Sequence, residues 1–171
     1  MRRLDPQRLL AAVNEQRACL GGTAWTGPLS AAALGDGCAA AVAEALDAGK
    51  TPCREALRAA AMRLLDLLAA RAPGRAVEVR IPPFAAIQCV AGPRHTRGTP
   101  PNVVETDAAT WVRLATGRLA WAAAAADGLI RASGPRADLT AYLPLSSGPP
   151  LSSGPPLPSG PPLPSGPSRP R

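Results

Sequence analysis

The chain has 171 residues, a net charge of +7, 46% hydrophobic residues, one histidine and four cysteines. That is the size of one domain with an appendage. The longest uninterrupted apolar run, Leu119 to Ala126, is far short of the ~20 residues a membrane helix needs. No GxGxxG, Walker loop, HExxH or GxSxG occurs, which removes the usual signatures of nucleotide, zinc and nucleophile-elbow enzymes. One histidine and four scattered cysteines, Cys19, Cys38, Cys53 and Cys89, give no ligand-spaced zinc set.

In chain order, the first predicted element is a helix over 4–20. Asp5 caps it and Pro6 takes its first position; Leu9, Leu10, Val13 and Leu20 share one side, and Gly21-Gly22 stop it. Residues 23–36, with Trp25, Gly27-Pro28 and Gly35, read as a loop. A second helix is expected from about 37 to 48, closed by Gly49. The strongest helical pattern is 52–71, capped by Thr51 with Pro52 at its first position. Leu57, Ala61, Leu64, Leu65 and Leu68 form its apolar stripe, while Glu55–Arg58 and Arg63–Asp66 are spaced as ion pairs on the polar side.

Strand patterns follow at 76–81, 85–90 and 102–106, the first alternating Val77, Val79 and Ile81 with Glu78 and Arg80. Residues 92–101 are a polar loop stiffened by Gly and Pro. Asp107 caps a helix carrying Trp111 and Leu114, which Gly117 closes. A short helix over 121–127 ended by Gly128, a strand over 129–133 and a turn capped by Asp138 complete the body. Helices, three strands, two helices and a strand make an α+β domain with a mixed or antiparallel sheet. Then come four tandem hexads: PLSSGP at 144–149 and 150–155, PLPSGP at 156–161 and 162–167. Such a segment lacks the apolar area to offset ordering entropy, so a disordered, Pro-rich tail of polyproline II character is expected.

The 18 arginines are dispersed among acids rather than clustered, and only Lys50 is a lysine. That spacing argues against nucleic acid, whose binders need concentrated charge with groove-reading partners. The start of the chain has no continuous apolar h-region, so the reading is a cytoplasmic protein with reduced thiols, its cysteines serving as small buried hydrophobes. Glu105/Asp107 and Asp127/Asp138 read as caps and surface groups rather than acid–base pairs. His95 stands between Arg94 and Arg97 with no nucleophile or acidic orienter beside it in sequence, so no triad is supported. The three side chains do have the donors to hold a carboxylate or phosphate.

The second half of the chain also resembles a family. RIPPFAAIQC at 80–89 leads into GPRHTRGTPPNVVETD at 92–107, then TWVRLATGRLAW at 110–121, GLIRASG at 128–134 and RADLTAYLP at 136–144. Across about residues 52–145 this is similar to the bacterial orthologues of sterol carrier protein type 2. The resemblance implies a five-stranded sheet with helices on one face and an apolar tunnel between them for acyl chains, sterols or similar lipids. A related module accompanies mycothiol-dependent isomerases, but this chain shows no His-rich helical bundle of that kind.

The expected organisation is a helical extension over 1–50, a sterol-carrier-like domain over 51–145 and the repeat tail over 146–171. The expected function is non-enzymatic binding of a lipid or other apolar small molecule, without a cofactor, a metal, stable membrane insertion or nucleic acid. Leu64, Leu68, Ile87, Trp111 and Leu114 are the candidate walls; Arg94, His95 and Arg97 are the candidate polar mouth. The alternative is an accessory module serving a partner enzyme that depends on mycothiol or a metal.

Overall fold

A computed structural model describes residues 5–92 and 102–145. Asp5 accepts a hydrogen bond from the Gln7 amide at 3.1 Å. This caps α1 (Pro6–Cys19), with Pro6 in the first turn as predicted. Leu9 and Val13 are buried and Leu10 is half-buried. The helix turns out through Gly21 in the left-handed region, φ 78°.

The second helix, α2 (Ala31–Asp47), starts six residues earlier than its pattern suggests, with the Ser30 hydroxyl accepting from the Ala33 amide at 3.2 Å. Gly35 was read as a loop residue but lies inside the helix. A Cβ there would come within 3.0 Å of the Arg63 side chain, and one at Gly37 would come within 2.6 Å of the Trp25 ring. Both glycines serve close packing against neighbours, so their cost in helix propensity is offset.

The third helix, α3 (Arg54–Arg71), starts later than expected. Its cap is Cys53, not Thr51, and the Cys53 amide donates to Gln16 Oε1 at 2.7 Å. A buried side chain from α1 thus satisfies a donor at the start of α3, which no local pattern reveals. The Arg63–Asp66 pairing also gives way. Arg63 instead makes two hydrogen bonds to Asp36 on α2, at 2.7 and 3.1 Å. Glu55–Arg58 stands as expected at 3.6 Å.

Four strands form one mixed sheet: β1 (Val77–Ile81), β2 (Ala85–Cys89), β3 (Val103–Thr106) and β4 (Ile130–Ser133). Their order is β2-β1-β3-β4, with β1 and β3 parallel and both edge strands antiparallel to their neighbours. The fifth strand implied by the family resemblance is not found among the described residues. After β4 the chain passes Gly134-Pro135 into a 3-10 turn, Thr140–Tyr142, so no alternating segment follows to add a strand.

Register separates the two faces of the sheet. Val77, Val79 and Ile81 pair with Cys89, Ile87 and Ala85, while Val79 also pairs with Val104 and Thr106 with Ile130. This inner face joins the helices in one apolar core that runs from Leu9 to Leu145. The other face carries Glu78, Arg80, Glu105 and Arg131. Arg80 Nε donates to Glu78 Oε1 there at 2.6 Å, and Arg131 lies 4.0 Å from Glu105.

Between β3 and β4 lie α4 (Ala108–Ala115) and α5 (Trp121–Ala126). Gly117 and Gly128 end them with φ of 74° and 69°, the left-handed exits expected from sequence. α3 packs against α1, α2, α4 and β2, so it is the central element of the core.

Candidate functional site

Asp107 fixes the position of α4. Its Oδ1 accepts from the Ala109 and Thr110 amides at 2.9 and 3.0 Å, and its Oδ2 accepts from the Thr110 hydroxyl at 2.6 Å. The cap sets the helix so that Trp111 and Leu114 turn into the core. Trp111 is fully buried, and its indole N–H donates to the Ala61 carbonyl on α3 at 3.3 Å. Leu64 and Leu68 of α3 are also fully buried, and Leu114 is 2% exposed. Four of the five candidate walls therefore belong to one packed apolar cluster.

Ile87 differs. It lies on the inner face of the edge strand β2 and is only half-buried, as is Ala85. Their partners on β1, Val79 and Ile81, have no exposed surface. Phe84, just before β2, is half-buried against the same core. The apolar interior thus reaches solvent along β2.

Arg94, His95 and Arg97 lie outside the described residues. The backbone on either side of them is held by hydrogen bonds. Val90, at the end of β2, has φ 62°, a costly conformation for a β-branched residue. Two hydrogen bonds hold it there: its amide to the Ala72 carbonyl at 2.7 Å, and its carbonyl from the Ala76 amide at 3.0 Å. Asn102, buried on the far side, donates to the Ala76 carbonyl at 2.7 Å. Arg136 joins the two sides: its amide donates to Asn102 Oδ1 at 3.0 Å and its guanidinium to the Ala91 carbonyl at 3.1 Å. Sequence reasoning missed this clamp, because Arg136 is 34 residues from Asn102 and carries no local signal.

Other arginines serve in the same way. Arg113 donates to the Leu46 carbonyl at 3.0 Å, and Arg118 to Asp47 at 2.6 Å, tying α4 and the turn after it to the end of α2. Arg71 donates to the Tyr142 carbonyl at 3.1 Å and to that of Pro144. The hydrogen bond from Arg63 to Asp36 holds its guanidinium pKa above the ordinary value. Arginines dispersed in sequence are thus used as clamps between elements.

The carboxylates Glu105, Asp107 and Asp127 stand at a sheet face and at helix ends. Asp107 caps α4, Asp127 ends α5, and Glu105 belongs to the outer sheet face. Asp138 Oδ1 accepts from the Thr140 hydroxyl and amide at 2.6 and 2.8 Å, and these bonds, the hydroxyl's first, lower its pKa. Cys38 and Cys89 are buried, and burial pushes their thiols up to about 12 and about 11. The expectation of buried cysteines fails at Cys19, which is exposed, and Cys53 is only half-buried. No helix among the described residues is long and apolar enough to cross a membrane.

Residues 53–145, more than half of the chain, match the family described as bacterial SCP ortholog, that is, sterol carrier protein. The chain belongs to this family. The match begins at the cap of α3 and ends at Leu145, whose amide donates to the Ala115 carbonyl at 2.8 Å. Within this sterol-carrier-like domain lie all four strands and every candidate site residue; α1 and α2 precede it. A search of curated proteins finds no match to the chain.

Proposed function

We propose that the sterol-carrier-like domain binds a lipid or similar apolar small molecule between α3, α4 and the inner face of the sheet, and carries it without chemistry of its own. Family membership supports the ligand class. The observation that carries the location is the half-covered apolar edge at Ala85 and Ile87, beside β1 residues that are fully covered. Ile87 forms the rim in this reading, and Leu64, Leu68, Trp111 and Leu114 form the deep wall. An apolar chain entering at the rim gains about 25 cal/mol for each Å² of apolar surface it removes from water. Arg94, His95 and Arg97, assigned from sequence alone, meet a carboxylate or phosphate head group. Residues 51–145 are the binding unit, and α1 and α2 of the preceding segment pack against α3.

The test is titration of the full chain with a fluorescent C16 fatty acid and a fluorescent sterol, beside Ile87→Glu. The variant places a charge at a half-exposed position, so the fold should persist, with an unchanged unfolding midpoint in urea. The expected result is saturable uptake of at least one probe by the native chain and loss of that uptake in the variant. Equal uptake by both proteins would reject the rim. If neither probe bound the native chain, the carrier reading would fail in favour of an accessory module.

A further inference from the structure

Two cysteines that are far apart in sequence meet where the end of α1 reaches the start of α3. Cys19 Sγ at the end of α1 lies 3.4 Å from Cys53 Sγ at the cap of α3. Cys19 is exposed and Cys53 half-buried, whereas the other two thiols are buried. A disulfide is ~2.05 Å long, so the two sulfurs need approach by only about 1.4 Å. The surrounding backbone is anchored on both sides. Lys50 Nζ donates to the Cys19 carbonyl at 3.2 Å, and the Cys53 amide donates to Gln16 Oε1 at 2.7 Å. These bonds hold the end of α1 against the start of α3 without any covalent link.

We propose that Cys19 and Cys53 are a peroxide-oxidisable pair whose disulfide latches the N-terminal helices to the sterol-carrier-like domain. The exposed sulfur reacts first. Cys19 gives up its proton and attacks one oxygen of hydrogen peroxide; the O–O bond breaks, water leaves and Cys19 becomes a sulfenic acid. Cys53 then attacks the Cys19 sulfur; the S–S bond forms, the S–O bond breaks, and the departing hydroxide takes the Cys53 proton to leave as a second water. Two thiols and one peroxide thus give one disulfide and two waters. Burial, followed by the hydrogen bond with Cys19, pushes the Cys53 thiol up to about 11. It therefore waits as a thiol until its neighbour is oxidised, which suits the resolving role. Cys38 and Cys89, sealed in the core, take no part.

The experiment treats the folded, reduced full chain with a small excess of hydrogen peroxide, quenches with an alkylating agent and measures intact mass and a non-reducing peptide map. The expected result is a monomer that carries two fewer alkyl groups than the reduced chain quenched in the same way, reversed by dithiothreitol, with one linked peptide pair containing Cys19 and Cys53. Cys53→Ser should instead accumulate a dimedone-reactive sulfenic acid at Cys19, and Cys19→Ser should give neither product. The link closes a loop of about 35 residues, so the oxidised chain should melt on the order of 10 °C higher than the reduced one. Addition of oxygen at Cys19 without a link, a link between other cysteines, or no reaction would overturn the proposal. A correct link with no rise in Tm would overturn the latch.

Discussion

Replacing Asp107 by alanine removes the group that fixes α4, and with it the support of Trp111 and Leu114. The carboxylate accepts two amides at 2.9 and 3.0 Å and one hydroxyl at 2.6 Å. Loss of an N-cap of this kind costs about 1–2 kcal/mol. Thr110 is 6% exposed, so its hydroxyl also loses its partner in a buried position, which adds about 1 kcal/mol. The sum, about 2–3 kcal/mol, corresponds to a fall in Tm of roughly 6–15 °C for a folded body of this size. Urea unfolding followed by far-UV circular dichroism reads the stability, and near-UV dichroism reads the packing of the tryptophans. Asp107→Asn keeps an oxygen for the amides and should recover at least half of the loss. Adding Thr110→Val to Asp107→Ala should cost less than the two single changes summed, because both remove the same contact. An Asp107→Ala chain within about 0.5 kcal/mol of the native one would refute the reasoning.

Other consequences can be measured on the same chain. The Arg63–Asp36 pair is partly exposed, so a double-mutant cycle should return a coupling of about 0.5–1 kcal/mol that shrinks with salt, while a cycle of Arg63 with Asp66 should return a smaller one. Gly74→Ala should cost at least ~2 kcal/mol in urea unfolding, because a Cβ there would sit 2.0 Å from the Val90 carbonyl at a φ of 153°. The buried thiols of Cys38 and Cys89 keep their protons in the folded chain to about 12 and about 11, while the unfolded chain releases them near 9.0. The unfolded state then binds fewer protons above pH 9, so stability should fall as pH rises from 9 toward 11, and Cys38→Ala with Cys89→Ala should flatten that decline. Alanine at Arg94, His95 and Arg97 together should weaken fatty-acid uptake roughly 10- to 100-fold and leave a neutral sterol unaffected, as judged by titration.

Most elements were legible because their signals are local. Asp5 with Pro6, Asp107, Gly117 and Gly128 mark helix ends by side-chain or backbone chemistry that depends on near neighbours alone. The alternation of β1 likewise named the inner face, since a strand's two faces follow from a period of two. What could not be read depends on contacts between elements. Gly35 looks like a loop residue until Arg63 is brought against it. Thr51 looks like the better cap until Gln16 of α1 takes the amide of Cys53. Arg63 has Asp66 at helical spacing, yet Asp36 offers two oxygens from the neighbouring helix. The count of four strands agrees with the alternating segments, whereas the fifth came from the family resemblance.

The candidate site divides in the same way. Spacing marked Leu64 and Leu68 as apolar positions of α3, and Trp111 and Leu114 were read on α4; their grouping as walls came from the family resemblance, and the four are buried in one cluster. Nothing in sequence separates Ile87 from them, because its partial exposure follows from the place of β2 at the edge of the sheet. The Arg136 clamp and the Cys19–Cys53 pair were missed because each joins residues more than 30 positions apart. The dispersal of the arginines spoke only against nucleic acid, and several of them bind carbonyls across element boundaries.

The most direct test of the carrier reading is native mass spectrometry of the full chain, with lipid extraction of the same sample. The account predicts a stoichiometric extra mass that disappears on denaturation, is recovered in the organic extract as an acyl or sterol-like molecule, and is absent from Ile87→Glu. A clean apo mass that stays unchanged after incubation with fatty acid and sterol would contradict it.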